Sequence, residues 1–273
     1  MILSLKEVRK SYGATRALDG ISLEVDRGEI VAVLGPNGAG KTTAIEIAIG
    51  LRVPDAGDVR LFGRSPRDPG ARLRLGVTPQ ESGFPDALSV EEIVRFGATH
   101  YPNPAKSADV LKAFGLEPLA QRRAGTLSGG QSRRLAVALA FTGNPDLVVL
   151  DEPTTGLDVE SRRRLWEVVR DYAAAHSILF TTHYLEEAQA LATRVVVVDS
   201  GRVLFDGSTG ELRRRFGARR LSYVGPGGAV TVTIDDTDEY VRKLVRDGVA
   251  FSNLEIVPPT LEDAFLTVTG GRK

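Results

Sequence analysis

Five apolar residues, Ile30 to Leu34, lead directly into a glycine-rich octet and then into a second apolar segment, 44–49. The octet consists of Gly35, Pro36, Asn37, Gly38, Ala39, Gly40, Lys41 and Thr42. It fits G-x-x-x-x-G-K-[ST], in which glycines let backbone N–H groups surround a phosphate at the start of a helix. We predict that the octet and Thr43 bind a nucleotide, with Lys41 at its β- and γ-phosphates and the Thr42 hydroxyl on Mg²⁺.

Three further apolar runs, at residues 147–150, 178–182 and 195–198, lack polar alternation and are rich in β-branched side chains. Such runs are typical of strands that are buried on both faces of a parallel sheet. Helical patterns separate them, and one of these patterns spans residues 160–175. We therefore predict an α/β fold whose core is a parallel sheet of the P-loop nucleotide-hydrolase type.

Three segments differ from this core in their residue pattern. Residues 1–29 and 57–62 alternate apolar and polar side chains, which predicts an N-terminal antiparallel β subdomain. Residues 82–143 lack a buried-strand run and are mostly helical in pattern, which predicts a helical insertion. The last part of the chain carries a strand, helix, strand and helix pattern, which predicts a small α+β extension. The predicted domains are therefore 1–215 and 216–273.

The composition excludes several classes of function. The 35 basic and 35 acidic side chains cancel, whereas a nucleic-acid partner selects for a net basic surface. The chain has no cysteine, which rules out disulfides, thiolate metal sites and cysteine nucleophiles. No run approaches the ~18 to 20 apolar residues of a membrane span, and residues 1–6 do not start a secretory signal. We expect a cytosolic-type chain that does not bind nucleic acid.

An acidic pair, Asp151 and Glu152, follows the predicted strand 147–150. The carboxyl ends of strands in such sheets face the ligand. Asp151 then suits Mg²⁺, usually through water, and Glu152 is placed to orient or deprotonate the water that attacks the γ-phosphate. Because any strand end can carry solvated acids, this assignment depends on the phosphate loop upstream.

A second helix start with exposed backbone amides is predicted before the helical run 133–141. It is formed by Leu127, Ser128, Gly129, Gly130 and Gln131. A serine followed by two glycines presents bare N–H groups and a hydroxyl, which suits a second anion. Together with the phosphate loop and the acidic pair, this segment resembles the nucleotide-binding subunit of ATP-binding-cassette (ABC) transporters. The resemblance covers about residues 1–215 and implies two protomers packed head to tail, in which each Ser128 segment faces the γ-phosphate held by the other protomer.

Four more positions match the family pattern in chain order. Tyr12 resembles the aromatic residue that stacks on adenine, and Gln80 resembles the glutamine that reaches Mg²⁺ and the attacking water. Asp158 resembles the aspartate of the loop between protomers, and His183 resembles the histidine that contacts the γ-phosphate. Residue chemistry alone also allows edge-strand packing for Tyr12, a surface position for Gln80 and a helix cap for Asp158.

The resemblance implies an enzyme that hydrolyses ATP with Mg²⁺ to energise a transmembrane permease on a separate chain. Such a subunit lies peripherally on the cytoplasmic side of a bacterial-type cell membrane and pairs with a second ATPase protomer, either a copy of this chain or a related one. Residues 260–266 resemble the closing motif of the drug-exporter branch, and residues 76–83 are similar to the same branch. We therefore expect export of a drug, lipid, polysaccharide or peptide.

Three other readings compete with this one. A small-molecule kinase of another P-loop class would explain Lys41 and Asp151 but leaves residues 127–131 without a purpose. A non-transport cassette ATPase, acting on DNA or ribosomes, usually needs long coiled coils or two cassettes, and this sequence has neither heptads nor a second cassette. An inactive regulatory module fits poorly, because Lys41, Glu152 and His183 are all intact.

Overall fold

The computed structural model describes residues 1–78, 83–217, 219–234 and 236–270. The chain forms two compact units, Met1–Asp206 and Gly207–Lys273. The division lies before the helix at residues 209–216, whereas the sequence analysis drew it after residue 215. That helix packs against the last helix of the second unit, which is why it belongs there.

The first unit contains two sheets. Its strands are β1 (Leu3–Tyr12), β2 (Thr15–Val25), β3 (Ile30–Leu34), β4 (Ala56–Leu61), β5 (Leu75–Thr78), β6 (Leu147–Asp151), β7 (Ser177–Thr182), β8 (Arg194–Asp199) and β9 (Arg202–Gly207). Strands β2, β1 and β4 form an antiparallel sheet, as residues 1–29 and 57–62 predict. The larger sheet has the order β5-β6-β7-β3-β8-β9. The strand pairs from β5 to β8 are parallel.

The strands that the sequence predicts as doubly buried form the centre of the larger sheet. Every residue of β3, β6 and β7 is buried, and so are the four central residues of β8. Removing a valine or leucine side chain from water contributes about 1.5–3 kcal/mol, so these strands supply much of the stability of the unit. The prediction of an α/β fold with a parallel core is confirmed.

Seven helices lie in the described part of the first unit: α1 (Lys41–Ala48), α2 (Pro69–Arg72), α3 (Val90–Ala98), α4 (Ser107–Ala113), α5 (Gly129–Leu139), α6 (Val159–Ala173) and α7 (Leu185–Leu191). The described part of the predicted insertion contains α3, α4 and α5 together with two short 3-10 turns. Ser89 and Ser128 start α3 and α5 with reciprocal capping boxes, in which the third helical residue bonds back to the cap. Within the described ranges, every helix of the chain is too short or too polar to span a bilayer.

The second unit consists of α8 (Thr209–Phe216), β10 (Arg219–Gly225), β11 (Gly228–Ile234), α9 (Thr237–Arg246), β12 (Ser252–Val257) and α10 (Leu261–Val268). The pattern 229–234, 236–246, 249–257 and 260–268 anticipates the last four of these elements. It misses β10, the central strand of the sheet β11-β10-β12. Only Leu221 and Tyr223 of β10 are buried, and the preceding arginines mask that alternation in the sequence.

Candidate nucleotide site

The loop between β3 and α1 approaches neighbouring backbone so closely that two of its glycines have no substitute. A Cβ at Gly35 would overlap the carbonyl oxygen of Val198. Gly40 has a φ of +101°, and a Cβ there would lie 2.5 Å from the Ala17 carbonyl oxygen. Both ends of the loop therefore lie close to neighbouring strands, Gly35 to β8 and Gly40 to β2, and only glycine fits at these two positions.

Lys41 is the first residue of α1, and its side chain folds back against the loop and is only 6% exposed. Its Nζ donates hydrogen bonds to the carbonyl oxygens of Gly35 at 2.8 Å and Pro36 at 3.1 Å. Burial lowers the pKa of Lys41, and the nearby carboxylates of Glu152 and Asp151 act in the opposite direction. The loop therefore holds an ammonium group that faces the acidic end of β6.

The start of α1 is open to an anion. Among the described residues, no side chain caps this helix, whose N-cap is Gly40. Thr42 and Thr43 are half-buried in its first turn, while Pro36, Asn37 and Gly38 are exposed and Ala39 is buried. Uncapped N–H groups at a helix start, together with the helix dipole, attract negative charge. The octet thus leads into a helix start that is open to an anion, and its contacts with a nucleotide remain predictions.

The acidic pair occupies the end of β6. Asp151 is 3% exposed and accepts a hydrogen bond from the hydroxyl of Thr181 on β7. Glu152 follows with a φ of +47°, which is rare for a residue other than glycine. Its N–H donates to Thr181, both to the carbonyl oxygen at 3.2 Å and to Oγ1 at 3.0 Å. A strained backbone held by several bonds is typical of a functional site, since it fixes where the side chain points.

His183 pairs with this glutamate. The histidine follows β7, and its Nδ1 lies 3.3 Å from Oε1 of Glu152. The other carboxylate oxygen, Oε2, accepts a hydrogen bond from Thr155 Oγ1 at 3.2 Å. The His183 side chain is 39% exposed and that of Glu152 is 16% exposed, so a ligand can reach the imidazole while the carboxylate stays sheltered. The pairing of the two residues is not visible in the sequence.

Strand register explains why these groups meet. Leu34 at the end of β3 is opposite Thr182, and Asp151 is opposite Thr181. Thr78 at the end of β5 is opposite Leu150, so the carboxyl ends of four parallel strands share one edge. Gln80 lies outside the described residues, and its predicted role at Mg²⁺ stays a prediction.

The second predicted anion site is a well-formed helix start. Ser128 caps α5 by accepting the Gln131 N–H at 3.2 Å, and the Gln131 side chain accepts the Ser128 N–H at 3.0 Å. A Cβ at Gly130 would lie 3.1 Å from the carbonyl oxygen of Gly156, while one at Gly129 would meet open space. No hydrogen bond or ion pair between described residues joins this turn to the phosphate loop of the same chain.

Asp158 and Tyr12 both make contacts within the chain, apart from the roles predicted for them. Asp158 caps α6 by accepting the Ser161 N–H at 2.7 Å, which lowers the pKa of its carboxyl group. Tyr12, at the end of β1, is 40% exposed. The Arg52 guanidinium carbon lies 5.4 Å from its ring centroid and Lys10 Nζ lies 5.8 Å from it. The ring is thus exposed and flanked by two cations, a setting that suits a base carrying phosphates.

The residues at the edge could hold a Mg²⁺ ion together with the phosphates of a nucleotide. Within the described ranges, no three His, Asp or Glu side chains form a metal cluster. A Mg²⁺ ion is commonly bound by one or two protein oxygens together with phosphate oxygens and water. Thr42 and Asp151 could supply those protein oxygens.

Sequence reasoning missed three side chains that hold the acidic segment. Thr181 bonds to Asp151 and Glu152, and Arg133 donates to the carbonyl oxygens of the same two residues. Glu187 is fully buried on α7 and accepts the Thr154 hydroxyl at 3.1 Å. Burial raises the pKa of Glu187. The sequence marks two of them only indirectly, because Arg133 follows the Ser128 segment and Thr181 lies inside a predicted strand.

Comparisons with known proteins agree with this geometry. The family model described as ABC transporter matches residues 18–155. The daunorubicin/doxorubicin resistance ATP-binding protein DrrA of Streptomyces peucetius is 41% identical over 297 residues, which cover 96% of this chain and 90% of the relative. The Nod factor export ATP-binding protein I of Cupriavidus pinatubonensis is 36% identical over 298 residues, with 98% and 91% covered.

Solved structures give the same answer. The ATP-binding subunit of an ABC transporter has a TM-score of 0.72 at 30% identity and covers 79% of this chain and 93% of its own. A dimeric ATP-binding cassette in a post-hydrolysis state, bound to ADP and Pi, has a TM-score of 0.70 at 25% identity, with 76% and 98% covered. The predicted resemblance is confirmed, and the chain belongs to the ABC transporter family as one of its ATP-binding proteins.

Proposed function

We propose that this chain is the ATPase subunit of an exporter and that it acts with a transmembrane permease on a separate chain. One observation carries the proposal: the carboxyl-terminal edge of the larger sheet bears the phosphate loop and, beside it, the acidic pair and its histidine. The residues concerned are Lys41, Asp151, Glu152 and His183. The subunit would lie on the cytoplasmic side of the membrane. Its reaction is transfer of the γ-phosphoryl group of ATP to water.

Each group at the edge has a definite task in that reaction. The Lys41 ammonium and the N–H groups at the start of α1 bind the β- and γ-phosphates and offset their charge. Glu152 orients the attacking water and accepts its proton, while His183 holds the glutamate at 3.3 Å and offers its exposed face to the γ-phosphate. Mg²⁺, when bound by Thr42 and Asp151, would supply further positive charge at the phosphate oxygens.

The second helix start implies a second protomer. Ser128, Gly129 and Gly130 present an anion-binding turn that no bond between described residues connects to the phosphate loop of the same chain. A partner protomer packed head to tail would bring this turn to a γ-phosphate, with Asp158 in the loop between the two copies. The solved cassette bound to ADP and Pi is a dimer, which supports this arrangement.

Relatives favour export over the other possibilities. DrrA is a resistance protein for daunorubicin and doxorubicin, and the Nod factor relative is an export protein. Both align with almost the whole chain, including the second unit. This long alignment makes a small-molecule kinase or a non-transport cassette a weaker reading.

A product assay tests the proposal. The purified chain is incubated with Mg²⁺ and ATP, alone and with its permease in vesicles, and phosphate, ADP and any phosphorylated acceptor are measured. We expect phosphate and ADP in equal amounts, with hydrolysis abolished in Lys41→Ala and unchanged in Lys106→Ala, which alters a lysine outside the site. A phosphorylated acceptor, or no hydrolysis under either condition, would overturn the proposal.

A further inference from the structure

Helix α5 also contacts the acidic segment at the end of β6. Its residue Arg133 is half-buried, and the guanidinium donates to the carbonyl oxygen of Glu152 at 2.9 Å and to the carbonyl oxygen of Asp151. One planar side chain thus joins the helix to two consecutive residues of the acidic segment. Burial lowers the pKa of Arg133, and the carboxylates of Asp151, Glu152 and Glu187 oppose that effect.

The turn that Arg133 bridges is the strained one. Glu152 has a φ of +47°, a conformation that is unfavourable for a residue with a Cβ and persists only when its surroundings enforce it. Thr181 restrains the N–H side of Glu152, and Arg133 restrains the carbonyl side. The Thr154–Glu187 bond fixes the residues that follow. The direction of the Glu152 carboxylate therefore depends on three neighbouring elements, of which α5 is one.

We propose that Arg133 is a positioning residue, which ties helix α5 to the main chain at Asp151 and Glu152 and so fixes the Glu152 carboxylate beside the water that attacks the γ-phosphate. The inference rests on the proposed function, because it assigns Glu152 to the attacking water. It also gives the first half of α5 two roles. Ser128 at its start would meet the nucleotide of the partner protomer, and Arg133 on the same helix holds the glutamate of its own site.

Three variants test the role. Arg133→Met keeps an unbranched apolar stem but has no donor, and Arg133→Lys keeps a charged donor on a shorter side chain, which can retain part of the contact with the two carbonyl oxygens. Arg74→Met is the matched control, because Arg74 binds Asp146 at 2.6 Å just before the other end of β6. We expect kcat to fall about 10- to 100-fold in Arg133→Met and less in Arg133→Lys, with the Kd for ATP within about twofold of wild type. Arg74→Met should leave kcat per folded molecule unchanged.

A double variant separates positioning from general damage. In a Glu152→Gln background the catalytic carboxylate is already gone, so adding Arg133→Met should change the single-turnover rate by less than about twofold. The double variant should also still pair when Mg²⁺ and ATP are added. Equal losses in both backgrounds, or wild-type kcat in Arg133→Met, would overturn the inference; if Arg133→Met does not fold, the same criteria apply to Arg133→Lys. An inactive wild-type chain would instead refute the proposed function.

Discussion

The two units of the chain differ in how they bury their strands. In the first unit β3, β6 and β7 are buried along their whole length, and the site residues emerge where these strands end. In the second unit every residue of β11 and β12 is at least partly exposed, and the buried cluster on its sheet consists of Leu221, Tyr223 and Leu244 with partly buried neighbours.

The difference shows what each unit can do. Groups whose separation must be held to within about 0.5 Å, such as His183 and Glu152 at 3.3 Å, need a rigid frame beneath them. The central sheet of the first unit provides that frame. The second unit has a small core, so it should be less stable and should contribute nothing to the chemical step.

The largest effect is expected from Glu152→Gln. The amide keeps the shape of the side chain but cannot accept a proton, so turnover should fall by roughly 10²-fold or more while ATP still binds. Steady-state hydrolysis and equilibrium binding of a fluorescent ATP analogue measure the two quantities. Glu160→Gln, at an exposed glutamate eight residues further on, is the control and should behave as wild type. Near-wild-type turnover in Glu152→Gln would remove the glutamate from the mechanism.

A pair of leucine truncations tests the contrast between the units directly. Leu147 in β6 and Leu221 in β10 are both fully buried, and each Leu→Ala change should destabilise its own unit by about 2–5 kcal/mol. Leu221→Ala should lower the melting temperature of the second unit while kcat stays within about twofold. Leu147→Ala should reduce stability and hydrolysis together. Calorimetry and hydrolysis assays follow both; a parallel loss of activity in Leu221→Ala would mean that the second unit does support the site.

A smaller effect is expected at Tyr12. If its exposed ring stacks on adenine, Tyr12→Ala should raise the KM for ATP about fivefold, equivalent to about 1 kcal/mol, without changing kcat. Tyr12→Phe keeps the aromatic face and should match wild type. An unchanged KM in Tyr12→Ala would contradict the stacking role and would mean that the ring only packs on the edge strand.

The smallest effect concerns pH. Burial raises the pKa of Glu187 above its ordinary value of 4.5, so between the unfolded and folded pKa values the folded chain binds more protons. The contribution of Glu187 to stability is therefore complete below the unfolded pKa and falls as the pH rises through the folded pKa. Glu187→Gln, which resembles the protonated form, should gain melting temperature relative to wild type as the pH rises. Arg162 and Arg133 lie near the carboxylate and limit the gain. A difference independent of pH would contradict the assignment.

The sequence predicts those parts of the molecule that local rules dictate. Apolar runs such as 195–198 need two covered faces, and the glycine loop and the Ser128 cap carry their own geometry. Contacts that depend on strand register lie beyond such rules. The Glu152–His183 pair needs β6 beside β7, and the Arg133 contact needs α5 beside the end of β6. Strand β10 was missed because Arg219 and Arg220 hide its alternation.

A complete site should need two protomers, with the phosphate loop from one and the Ser128 turn from the other. The molar mass of Glu152→Gln, measured by analytical ultracentrifugation with and without Mg²⁺ and ATP, tests it most directly. We expect the mass to double when both are added, and we expect Ser128→Arg to prevent the doubling. A chain that binds ATP and remains a single copy, alone and with its permease, would contradict it.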